Sequence, residues 1–145
     1  MNGRLPVMDV LHKFGVVGPS RCFCCWHSSQ ETINHIFCTG EFARQVWSFF
    51  EVSIEGFGEA LTIRHKVIAW WLKYGRTMYI RFLFLILPTL ICWNLWKTRN
   101  KFVFEGRVAT VTQVCGQIVN ELHDSFGAQF SRLVYLGRGL LSWMR

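Results

Sequence analysis

The sequence predicts a mainly α protein: a small zinc-knuckle-like module followed by a bundle of amphipathic helices. Three observations carry that reading. Cys22, Cys25, His35 and Cys38, all metal-type side chains, fall close together near the N-terminus. Behind them, apolar residues recur at helical spacing in one run after another. Half of the 145 residues are apolar, with seven Trp and thirteen Phe, so a core can be built and the composition is not that of a disordered segment.

The first element is the metal hook. Cys22-x2-Cys25 brings two sulfurs to one ion from a tight turn. His35-x2-Cys38 offers two more donors from one face of a helical turn. Zinc takes four soft or borderline ligands in a tetrahedron, and three thiolates with one imidazole meet that need. Isolated cysteines are often just small buried apolar residues. The paired spacing favours ligation over that reading. Cys24 is expected to point away from the hook, and His27 is a spare candidate ligand.

Ahead of the hook, Pro6 biases Leu5 away from helix. Val7, Val10, Leu11 and Phe14 then share one face of a short helix over residues 7–14, with Gly15 as its C-terminal cap. Val16-Val17 reads as a short strand, and Gly18-Pro19-Ser20 as a turn. Residues 26–31 read as polar loop, and residues 32–37 as helical turns carrying His35. Residues 41–54 form the next helix, with Phe42, Val46, Trp47, Phe49 and Phe50 inward and Gly56-Phe57-Gly58 as its stop. A helix over residues 61–74 turns Leu61, Val67, Ile68, Trp71 and Leu72 inward and keeps Lys66 on its flank.

Residues 78–104 are the most apolar segment. The fifteen residues 82–96 carry no charge, which is shorter than the ~20 a membrane span needs. They read as a buried helix, kinked or restarted at Pro88, rather than as a membrane segment. Thr110-x-x-Gln113 is a capping-box pattern. Behind it, Val111, Val114, Cys115, Ile118, Val119, Leu122 and Phe126 make the cleanest apolar stripe in the chain. Gly127 is the expected stop, and residues 128–145 read as a weakly ordered basic tail. The organisation is thus a metal module over 1–55, a helical region over 56–127 and the tail.

These residues also carry a family resemblance. Arg4-Leu5-Pro6-Val7-Met8-Asp9-Val10-Leu11, the Cys22/Cys25 hook, Glu31-Thr32-Ile33-Asn34-His35-Ile36-Phe37 and Phe42-Ala43-Arg44-Gln45-Val46-Trp47 follow in order. Together they resemble the zinc-binding domain at the C-terminal end of plant non-LTR retrotransposon reverse transcriptases. The later run Cys92-Trp93-Asn94-Leu95-Trp96-Lys97-Thr98-Arg99-Asn100 resembles the Trp-x-x-Trp-Lys-x-Arg-Asn block that follows that domain. In the family pattern the last cysteine stands five residues after the histidine. That position is Gly40 in this chain, and Cys38 lies two residues earlier. Either Cys38 takes over as fourth ligand or the site has lost one.

Charge and missing motifs narrow the function. Residues 1–60 hold four Lys/Arg and six Asp/Glu, net −2; residues 61–145 hold twelve and three, net +9. A basic half points to a polyanion such as RNA or DNA. The residues expected to meet it are Lys97, Arg99 and Lys101 beside Trp93 and Trp96, although packing with snorkelling stems would explain the same residues. The two aspartates, Asp9 and Asp124, stand in unrelated contexts, so the metal-binding pair of a polymerase is missing. No acidic ribonuclease H cluster, Ser/His/Asp grouping or Gly-rich phosphate loop occurs. A cysteine nucleophile would leave the Cys22/Cys25 spacing unexplained. The expectation is a zinc-binding, nucleic-acid-associated accessory domain without catalysis of its own and with no small-molecule substrate. It would work in a reducing intracellular compartment, nucleus or cytoplasm. The alternative is a non-functional relic fragment of a retroelement.

Overall fold

The structure, a computed structural model, describes Lys13, Gly15, Cys22, Cys24, Cys25 and residues 29–52 and 62–142. The expected helix over residues 7–14, the strand at Val16-Val17, the turn after it, His27 and the stop at Gly56-Phe57-Gly58 fall wholly or mostly outside those residues. Gly15 has φ 77°, the left-handed backbone that suits a C-terminal cap.

The described part is helical. A π-turn, His35–Thr39, leads directly into α1 (Glu41–Glu51). Then come α2 (Ile63–Trp71), α3 (Met78–Glu105) and α4 (Val111–Ser142). Their ends follow local chemistry. Thr62 and Thr77 cap α2 and α3 by accepting from the His65 and Ile80 amides. Gly106, at φ 64°, closes α3: its amide donates to the Phe102 carbonyl and that of Arg107 to Lys101. The capping box is formed in both directions, with Gln113 N donating to Thr110 Oγ1 and Thr110 N to Gln113 Oε1.

One core joins all the elements. Phe37 of the π-turn, Val46 and Trp47 of α1, Trp70 of α2, Ile91 and Leu95 of α3 and Ile118 of α4 are buried together. Trp47 Nε1 donates to the Phe37 carbonyl at 2.7 Å, so the largest α1 side chain is satisfied as well as packed. The metal module and the helical region therefore share one apolar interior, and the expected boundary at 55/56 lies among residues not described.

Several sequence expectations are corrected. In α4, Val119 of the expected apolar stripe is exposed. In α2 the inward face is Ile63, Lys66 and Trp70, whereas Ile68, Trp71 and Leu72 are exposed. Lys66 reverses the register because Glu51 accepts from it at 2.8–2.9 Å and its ammonium lies 5.3 Å from the Trp47 ring. Trp70 Nε1 also donates to Glu51. In α1, Phe49 is exposed and Ala43 takes the inward place. Of the two alternatives at Pro88, a kink or a restart, the restart does not occur: α3 runs on through it. Nor does Gly127 stop α4, which continues to Ser142, so the expected tail begins inside a helix.

By length and composition α3 is long and apolar enough to cross a membrane. Its inward face, however, carries Asn94, Thr98 and Arg99 beside Leu87, Ile91 and Leu95. Asn94 donates to Glu121 of α4 and Arg99 to Glu31, so its polar groups are matched to this fold.

Candidate metal centre

Backbone hydrogen bonds shape the hook. Cys22 N donates to the Ser29 carbonyl at 2.7 Å, closing the loop that holds Cys24 and Cys25. Thr32 Oγ1 accepts from the His35 amide and starts the turn. There the chain winds wide: Gly40 N donates to the His35 carbonyl, an i→i+5 bond of 2.8 Å. Such π-turns concentrate at functional sites.

Cys22 Sγ, Cys25 Sγ and a His35 ring nitrogen lie within 4.8 Å of one another. Cys25 Sγ stands 3.2 Å from His35 Nε2. Ligand atoms on one tetrahedral zinc, bonded at ~2.0–2.3 Å, sit roughly 3.5–3.8 Å apart. The three donors thus need only small movements to hold one ion. A void of about 10 Å³ lies among Cys22, Cys24, Cys25, His35 and Gly40.

Cys38 is not in this group. It is buried in the shared core, and burial pushes its thiol up. The reason it stands apart is the winding. In an α-turn a residue three positions on would share the face of His35. The wider π-turn instead brings position 40 back over His35. A Cβ built on Gly40 would lie 3.1 Å from His35 Nε2. The corner facing the three donors is therefore position 40, and its residue has no side chain. Cys24 also departs from expectation: it lines the void and exchanges a hydrogen bond with Cys22.

Burial sets the protonation of the site. It pushes the Cys25 thiol up and the His35 imidazole down. Cys22 is raised, chiefly by its hydrogen bond to Cys24 and then by burial. Without metal the three groups are thus held neutral. Metal binding must release the thiol protons, so it weakens as the pH falls.

The least legible component is the support beside the void. Glu31, expected in a polar loop, is fully buried. Arg99 donates to it twice, Nη2 to Oε1 at 2.6 Å and Nε to Oε2 at 3.3 Å, and Arg99 also lines the void. The partners lie 68 residues apart in sequence, and only their places in two motifs hinted at them.

The residues expected to meet nucleic acid are dispersed. Arg99 is interior, with its guanidinium 5.4 Å from the Trp96 ring, and Trp96 stacks on Phe37. Lys97 pairs with Glu121 at 2.6 Å and lies 5.7 Å from Trp93. Trp93 and Lys101 are exposed. The cations of this block mostly tie α3 to other elements and do not form a common basic surface.

Comparison with protein families matches residues 1–47 to the family described as zinc-binding in reverse transcriptase. Comparison with curated proteins and with solved structures gave no match.

Proposed function

We propose that this chain is a zinc-binding accessory module of a reverse transcriptase of the plant non-LTR retrotransposon type, that it associates with nucleic acid, and that it has no catalysis of its own. The observation that carries the reading is the convergence of Cys22, Cys25 and His35 inside the segment that matches the zinc-binding family. Two thiolates and an imidazole are donors that zinc takes. The ion would hold the 22–29 loop against the π-turn and so complete the fold of the module.

Three protein ligands with an open place is also a pattern of catalytic zinc. Here the void is lined by cysteines, His35, apolar side chains and Arg99, and among the described lining residues there is no carboxylate to act as base. Glu31, the buried acid beside the void-lining Arg99, is engaged by it in an ion pair. The six thiols unpaired by disulfides suit a reducing compartment. The bare position 40 favours a second reading, a relic that has lost metal affinity.

Metal analysis of the reduced protein purified with zinc decides between them. The module reading expects one zinc per chain, absent from Cys25→Ser. A metal content near zero in the wild type overturns it and leaves the relic.

A further inference from the structure

The acid-free stretch of the chain has a corner that the reverse-transcriptase motifs do not account for. Residues 60–104 carry eight Lys/Arg and no Asp or Glu. Three of those cations are used inside the fold, Lys66 by Glu51, Lys97 by Glu121 and Arg99 by Glu31. Arg76 and Arg81 are exposed, and both line a groove of about 550 Å³ where α2 turns into α3.

The groove walls are aromatic. Tyr74, 84% exposed, stands at the mouth, and Tyr79 and Phe82 pack on Phe126 of α4 at 6.2 and 5.0 Å. None of the described residues lining it is acidic. The floor is fixed: a Cβ on Gly75 would lie 2.6 Å from the Arg81 amide nitrogen, so this buried glycine lets the loop close onto the start of α3. The first turn of α3 carries no acidic side chain, and its positive end opens on the same groove.

We infer that this groove binds single-stranded nucleic acid, with Arg76 and Arg81 on successive phosphates and Tyr74 stacked on a base. The inference rests on the nucleic-acid reading above and places the contact at the α2–α3 corner instead of the Trp93–Lys101 block. Charge selects the occupant: cations with exposed aromatic rings and no acid fit a polyanion with flat bases, and such binding tolerates any sequence.

The test is fluorescence anisotropy of a labelled single-stranded oligonucleotide with the full zinc-loaded chain over a salt series. Wild type should bind at low salt and weaken steeply as salt rises. Arg76→Ala with Arg81→Ala should flatten the log–log salt slope by about 1.4, or ~0.7 per lost phosphate contact. Tyr74→Ala should weaken binding roughly 5- to 150-fold. Lys101→Ala, an exposed cation outside the groove, should leave the curve unchanged. All of these side chains are exposed, and unchanged circular dichroism and Tm will show that each variant folds. If the double variant keeps the wild-type slope, the groove assignment is overturned while the nucleic-acid reading stands. If wild type does not bind at low salt, both fall. If the groove variants change the oligomeric mass and leave oligonucleotide binding alone, the groove is a protein interface and the assignment is overturned.

Discussion

The hook at residues 22–40 and the Trp-Lys-x-Arg-Asn block on α3 are both conspicuous in the sequence, and they behave in opposite ways. In the hook, polar side chains converge on a void that can take an ion. In the block, the polar side chains are consumed by the fold: Arg99 by Glu31, Lys97 by Glu121 and Asn94 by Glu121 and the Leu90 carbonyl. The comparison teaches that the second motif supports the first. Arg99 lines the void and holds Glu31, four residues from His35, so the block extends the metal module into α3.

The largest effect should come from the hook. A structural zinc in a finger peptide contributes an apparent ~10–16 kcal/mol at neutral pH. Cys25→Ser, or chelation of the wild type, should therefore disorder residues 22–40, read as loss of amide protection there by hydrogen exchange. The apolar interior of α2, α3 and α4 should keep part of its protection. Unchanged protection in residues 22–40 would mean that the hook stands without metal.

Next in size is the block. Removing one partner of a buried ion pair leaves an uncompensated charge and costs about 3–5 kcal/mol. Arg99→Leu should destabilise the zinc-loaded protein by that amount in urea unfolding. Arg99→Leu combined with Glu31→Leu should recover much of the loss. A loss below about 1 kcal/mol for Arg99→Leu would place the pair at the surface and break the comparison.

A smaller effect is expected at the corner between hook and block. Gly40→Cys sets a thiol beside His35 Nε2, but its Cβ would come within 2.4 Å of the His35 carbonyl oxygen, so the π-turn must shift. Gly40→Ala meets the same clash without adding a donor. Zinc competition titrations should show tighter binding than wild type for the cysteine variant and no such gain for the alanine variant, with both less stable when metal-free. Equal affinities for the two would remove position 40 from the site.

The smallest is Lys97→Ala. This pair is partly exposed, with side chains 25% and 29% accessible, and pairs of that kind contribute ~0–1 kcal/mol. Thermal unfolding should shift by no more than a few degrees.

What was legible follows from which forces were local. The capping box, the α4 stripe apart from the exposed Val119 and the Cys22/Cys25/His35 convergence rest on short spacings that the chain cannot avoid expressing. The mainly α class followed from them. Two misreadings involved a partner far off in sequence. Lys66 looks like a flank residue until Glu51 and Trp47 stand over it, and Arg99 looks like a surface cation until Glu31 is beside it. Cys38 was misplaced for a local reason: the spacing to His35 was laid on an α-turn, and the chain forms a π-turn. No residue in that stretch marks the wider winding except Gly40, whose missing side chain lets the turn close.

The central claim is that the metal centre is Cys22, Cys25 and His35, with Cys38 committed to the core. Zinc competition titration of Cys38→Ala at pH 7, beside the wild type and Cys25→Ser, tests it most directly. The account predicts that Cys38→Ala binds one zinc with wild-type affinity while Cys25→Ser binds none. Loss of zinc from Cys38→Ala with its helical content intact would contradict it and return Cys38 to the ligand set.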